Sequence, residues 1–381
     1  MSRLNTPFAL TAIALVLGAS LASAEDKASL APLAADPLAR PTEVMPLADS
    51  TLVLDIARAG NRIVAVGERG HILYSDDGQG WTQAADVPLR STLTAVAAVD
   101  GNIWAVGHDG VILHSANSGE SWEIQRRDPR GQPAEGVDPD DIRQGAPLLD
   151  VLFTDLNHGI AIGAYSLFLE TSDGGKHWSG GRIRTSASDA AADAEAADKN
   201  EEEQAAHSSN DMQSSVFSAD ELKIGQESDP HLNAIARTGS GGYVIVGERG
   251  AIFRSDDGGK LWQRSQLPYD GSMFGIVGYE GQHVLAFGLR GHVFESTDLG
   301  VTWTEQATGS ELSLMGGVPL DNGGAIIVGA NGIVLRRARD SEALTTSTNS
   351  AAGVIAGVLP LDSDGTLLIA SENGLSRFQP K

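Results

Sequence analysis

FRSDDGGKLW, residues 253–262, places two adjacent aspartates before two glycines and a closing tryptophan. In isolation, Asp256–Asp257 fits a cation loop or a catalytic acid pair. The phrase is not isolated. It recurs as YSDDGQGW (74–81), HSANSGESW (114–122), ETSDGGKHW (170–178) and ESTDLGVTW (295–303), giving Ser/Thr-x-Asp-x-Gly-x-x-Trp. Asn117 stands for the aspartate in the second copy, and the first is one residue short before Trp81.

A second phrase precedes each copy: an apolar strand, a Gly-centred turn and another strand, as in RIVAVGERGHIL (62–73) and YVIVGERGAIF (243–253). Two more copies, AIIVGANGIVL (325–335) and LLIASENGL (367–375), lack the Asp–Trp phrase. A third apolar element stands before each, from LVLDIA (52–57) to VIAGVL (354–359), so there are seven units. The turn glycines Gly67, Gly107, Gly163, Gly247, Gly288 and Gly329, with Ser371 last, are mostly 40–42 residues apart. That period, with short β-branched runs punctuated by glycine, predicts an all-β, seven-bladed propeller. The two longer spacings hold insertions at 126–146 and 184–230. The last unit ends after its third strand, so PTEVMPL (41–47) is expected to supply the missing outer strand and close the ring, shielding its edges.

The Asp–Trp phrase resembles the Asp-box, or BNR repeat, a mark of fold more than of activity. Its aspartates (Asp77, Asp173, Asp257, Asp298, with Asn117) are expected to accept backbone N–H bonds inside a turn. Its tryptophans (Trp81, Trp122, Trp178, Trp262, Trp303) are expected to dominate the packing, each burying roughly 150–250 Å². No copy offers the alternating oxygens and closing glutamate of an EF-hand, so no metal is expected.

Composition bounds the rest. The 381 residues contain no cysteine, which excludes disulfides, thiolate metal sites and a thiol nucleophile. The net charge of −23 argues against a nucleic-acid partner. Residues 185–230 carry twelve acids and two lysines, and read as a disordered acidic insertion with room for one short helix. The start of the chain, an arginine followed by FALTAIALVLGASLA and the small-residue site Ala22-Ser23-Ala24, reads as a signal peptide cleaved after Ala24. The expected layout is a signal peptide (1–24), a linker (25–40) and a propeller (41–381). The mature protein is expected to be a monomer without a membrane span, periplasmic or secreted.

The turn between second and third strands carries arginine three times, at Arg69, Arg249 and Arg290. Two readings stand. These arginines form a binding face for carboxylates of a protein partner, or they pair locally with neighbours such as Glu68 and lie solvated. The acidic insertion emerges on the same face and could cover them. The loop 126–147 is a lid over the channel or a solvated loop. No GxSxG, HExxH or P-loop is present, and the Arg-Ile-Pro signature of sialidases is absent, so no catalytic residue and no cofactor are assigned.

Leader, seven Gly-turn units and Asp-boxes together resemble the photosystem II assembly/stability factor family, in its exported bacterial branch. The resemblance covers about residues 41–381 without 184–230. It implies a non-enzymatic scaffold that binds a membrane-protein complex of the cell envelope through an arginine patch, to which Arg249 and Arg290 correspond by position. Blade three departs, with Ser166 in place of the second turn glycine. A carbohydrate-binding or sialidase-like propeller is the alternative.

Overall fold

Seven small antiparallel sheets follow one another along the chain, each with its strands in sequence order. In this computed structural model residues 40–128, 141–185, 229–339, 343–362 and 364–380 are described, and they belong to one compact unit, Pro37–Lys381. The leader, the linker to residue 39 and the acidic insertion between 186 and 228, with its expected helix, lie outside the described residues. No helix among the described residues is long and apolar enough to cross a membrane.

The blades are β1–β4 (Val53–Ala59, Arg62–Gly67, Ile72–Ser75, Thr82–Gln83), β5–β8 (Leu93–Val99, Asn102–Gly107, Ile112–Ser115, Glu123–Arg126) and β9–β12 (Leu148–Phe153, Gly159–Gly163, Leu167–Thr171, Ser179–Arg182). Then come β13–β16 (Leu232–Arg237, Tyr243–Gly247, Ala251–Ser255, Gln263–Gln266), β17–β20 (Met273–Gly278, Val284–Gly288, Val293–Ser296, Thr304–Gln306), β21–β24 (Leu314–Pro319, Ala325–Gly329, Ile333–Arg337, Leu344–Thr348) and β25–β27 (Ile355–Pro360, Leu367–Ser371, Gly374–Phe378). The innermost strands pack in order around an axis, and β25 meets β1, which closes a seven-bladed ring.

Second strands are buried on both faces. From β10 onward each is fully buried along its five residues, because it lies between two neighbouring blades. That is why these runs read as continuous Val, Ile and Ala without polar alternation. Every innermost strand carries a β-bulge near its start, between Val53 and Asp55 in blade one and at the matching place in the other six. The bulge turns one extra side chain into the central channel: Leu54, Thr94, Leu149, Asn233, Phe274, Met315 and Ala356.

The closure differs from expectation. Residues 41–47 form no strand, and blade seven keeps three. The segment lies along blade one instead. The buried Thr42 hydroxyl bonds the carbonyl oxygen of Leu89, Gln83 Nε2 donates to the carbonyl of Glu43, and Arg90 bridges Glu43 at 2.8 Å. Pro41 and Pro46 deprive the stretch of two ladder donors, which disfavours an edge strand. The ring is sealed by side chains: Trp81 of blade one packs with Leu359, Leu361, Leu368 and Leu375 of blade seven.

Candidate partner-binding face

At the Asp-box corner of blade four the two aspartates are placed differently. Asp257 Oδ1 accepts from the Ser255 hydroxyl (2.7 Å) and from the N–H groups of Lys260 and Leu261 (both 3.1 Å). Asp256 is exposed and forms no side-chain hydrogen bond among the described residues. In all five copies one oxygen, Oδ1, does this work: for Asp77 (Ser75, Gln79, Gly80), Asn117 (Ser115, Ser121), Asp173 (Thr171, His177) and Asp298 (Ser296, Val301, Thr302). The amide oxygen of Asn117 serves as well as a carboxylate, which explains that substitution. The donors hold the carboxyls below the usual range. The Gln79 N–H leads for Asp77, the His177 ring lowers Asp173 to about 2, and the Ser255 hydroxyl leads for Asp257. At Asp298 desolvation pulls upward, and the N–H and hydroxyl of Thr302 outweigh it.

The box tryptophans each pack toward the preceding blade, though not equally. Trp122 and Trp262 are buried, whereas Trp81, Trp178 and Trp303 are half-buried. Trp104, outside the phrase, is buried more deeply than any of them: it stacks on Phe153 of the next blade (centroids 3.6 Å apart) and donates to the Gly174 carbonyl at 3.1 Å. The expected dominance of the box tryptophans is therefore shared with a second-strand residue.

The opposite face is built from the Gly-x-x-Gly turns. The first glycine is required by contact, since a Cβ on Gly67 would stand 2.1 Å from the Leu52 carbonyl oxygen. The residue before the last glycine is left-handed in six blades: Arg69 (φ 55°), Asp109, Tyr165, Arg249 (54°), Arg290 (56°) and Asn331. Asn and Asp tolerate that region, whereas Arg and Tyr are strained in it. Ser166, replacing the last glycine in blade three, is also left-handed (φ 58°), and its N–H bonds the Pro230 carbonyl at 2.9 Å.

Each of these turns packs against the innermost strand of the following blade, so the six residues stand around one end of the channel. Arg249 and Arg290 occupy adjacent blades. Arg69 lies three blades from both, on the far side of the ring. All three side chains are exposed, and none forms an ion pair within the described residues. Among the described residues Glu248 receives the His231 N–H at 3.2 Å and pairs with no arginine.

Three other arginines on this side are already engaged. Arg126 holds Asp128 (2.7 Å), and Arg143 holds Asp141 and Asp229 (both 2.8 Å). Arg182 joins the same Asp229 at 2.7 Å. The described ends of the two insertions are thus pinned beside blade three; 129–140, the centre of the proposed lid or loop, lies outside the described residues.

Two channel carboxylates went unnoticed in the sequence. Asp55 Oδ2 accepts from the Val96 N–H of blade two, and Asp150 Oδ2 from the Ile235 N–H of blade four, at 2.8 and 2.9 Å. Both face the narrow channel deep within the ring. Desolvation pushes Asp55 up to about 6 and Asp150 up to about 7. The signal was an aspartate inside an otherwise apolar inner strand, LVLDIA and LLDVLF.

Fold and corners define an Asp-box propeller of seven blades. Within it, residues 138–204 match the family described as photosynthesis system II assembly factor YCF48. Among solved structures, YCF48 bound to D1 peptide is similar at 14% identity and TM-score 0.60, over 87% of this chain and 95% of that one. YCF48 from Cyanidioschyzon merolae is similar at 14% and 0.56, over 88% and 97%. The WD40 propeller domain of Doa1 is similar at 12% and 0.57, over 90% and 95%. No curated protein matches the sequence. The chain is a propeller similar to the photosystem II assembly factors.

Proposed function

We propose that this protein is an exported, non-enzymatic scaffold that holds an acidic segment of a protein partner on the turn face of blades four and five. Through that contact it assists the assembly or stability of a membrane complex in the cell envelope. One observation carries the reading: Arg249 and Arg290 stand on adjacent blades, exposed and without ion pairs among the described residues, in a backbone conformation that costs an L-residue energy. Planar guanidinium forks on neighbouring turns suit carboxylates of an extended chain. The bound D1 peptide of the similar YCF48 structure supports a peptide as the ligand class, and the leader-like start supports export.

The test is capture from solubilised native envelope with the wild type and with Arg249→Glu/Arg290→Glu. Captured proteins are identified by mass spectrometry, and folding is checked by circular dichroism. The folded variant is expected to lose the partner. Undiminished capture removes the arginine pair from the reading.

A further inference from the structure

We propose that a cavity between blades three and four is a second binding site, taking a compact polyanion such as an organic phosphate or a polycarboxylate. The cavity measures about 470 Å³ and lies along the outer strand β12, under the Asp-box corner of blade four. That volume is in the range of small-molecule pockets.

Its origin is a local absence of side chains. At the two matching outer-strand positions the other four-stranded blades pair Gln83, Ile124, Arg264, Glu305 or Thr346 with the third strand, and Ser265, Gln306 or Ser347 one step on. Blade three has Gly180 and Gly181, opposite Leu169 and Phe168. A Cβ on Gly181 would meet nothing within 4 Å. Gly181, which pairs with Phe168 on the side facing blade four, leaves a trough there.

The walls are cationic. Arg182, Arg184 and Lys260 line the space, with Glu170 as the one acid in the lining. Arg182 shares its charge with Asp229, while Arg184 and Lys260 are exposed and form no ion pair among the described residues. Two cations are thereby left for a ligand.

One lining residue, Trp262, also carries a buried donor without an acceptor among the described residues. Trp122 and Trp303 give their indole N–H to the glycine carbonyl three residues back, at 3.0 and 3.1 Å. Trp262, 2% exposed, lines the cavity but does not make the matching bond to Gly259. Its Nε1 is buried with no hydrogen-bond partner among the described residues. An unmet buried donor is costly.

The experiment titrates full-length protein with pyrophosphate and, separately, citrate at low ionic strength. Heat release and the Trp262 indole ¹H–¹⁵N resonance are followed, the resonance being assigned with Trp262→Phe. One or both probes are expected to bind at one site and to shift that resonance; pyrophosphate alone marks a phosphate ligand, citrate alone a carboxylate. Arg184→Glu/Lys260→Glu is expected to weaken binding at least ~10-fold by removing two charge-assisted contacts. Gly181→Phe, which fills the trough while leaving every cation in place, should block it. Arg249→Glu/Arg290→Glu on the turn face should leave it unchanged. The proposal is overturned by absence of binding to either probe, by an unmoved Trp262 resonance, or by binding that survives both cavity variants.

Discussion

Asp150 Oδ2 accepts a 2.9 Å hydrogen bond from the backbone N–H of Ile235, and so ties blade three to blade four at the channel wall. Asp55 makes the same tie from blade one to blade two. Both carboxyls titrate higher in the folded ring, near 6 and near 7, than their model-peptide value of 3.8. The folded state therefore holds protons that the unfolded chain releases. The stability linked to them is fully present below the unfolded value and is lost as pH rises through 6 and 7. The corner aspartates act in the opposite sense, losing their contribution as pH falls toward about 2. The melting temperature should peak near about pH 4–5 and fall toward pH 8. Among the described residues that line the inner channel cavity, Asp55 and Asp150 are the ionisable ones, so Asp55→Asn/Asp150→Asn should flatten that slope. It should also lower the melting temperature at pH 5, because Oδ1 of each aspartate accepts a second N–H, from Ile56 or Val151, and one amide oxygen cannot serve both donors. A slope that persists in the double variant assigns it to other groups.

At the corners Oδ1 takes nearly all the hydrogen bonds, so charge matters less than the position of one oxygen. Asp257→Asn should retain most of the turn, as Asn117 does naturally, whereas Asp257→Ala should lower the melting temperature clearly. Equal losses from the two substitutions contradict this account.

Trp104 joins blades two and three by its stack on Phe153 and its bond to the Gly174 carbonyl. Trp104→Ala should cost about 3–5 kcal/mol, as large-to-small core changes do. The half-buried Trp178→Ala should cost less. Denaturant midpoints with unchanged m-values would establish the order.

Blade number and corner chemistry were legible because each depends on a short local pattern. A Ser-x-Asp-x-Gly turn makes its own bonds, and the second strands announce double-sided burial by their unbroken apolar runs. The closure was not legible. Residues 41–47 had two open edges to choose between, and the choice rests on Thr42 reaching the Leu89 carbonyl, 47 residues away. The role of Asp150 was hidden for the same reason: its partner Ile235 is 85 residues on, beyond an insertion. Arg249 and Arg290 were legible as a repeated position. The left-handed backbone beneath them could have been suspected from Asp109 and Asn331 in the equivalent turns.

Since side chains rather than an added strand close the ring, the 41–47 strap on blade one and the blade one–seven seam respond differently to mutation. Thr42→Ala removes a buried hydroxyl from the strap and leaves the Leu89 carbonyl unmet, at about 1–3 kcal/mol. Trp81→Ala opens the packing between blades one and seven and should make that seam exchange amide hydrogens faster at β26 and β27. Fast exchange at β26 and β27 in the Thr42 variant, without it in the Trp81 variant, would reverse this assignment of the seam.

The strain under the arginine pair gives the last prediction. A bulky L-residue at φ near +55° costs roughly 1 kcal/mol relative to glycine, which enters this region freely. Against that, glycine loses more chain entropy on folding. Arg249→Gly and Arg290→Gly should therefore be neutral or stabilising by up to about 1 kcal/mol each, an uncommon direction for substitutions in an ordered turn. The same variants should lose the envelope partner. A ring made more stable by removing the groups that bind its partner is the pattern expected where strain is retained for recognition. If both variants are destabilised and still capture the partner, Arg249 and Arg290 serve the fold, and the binding face lies elsewhere.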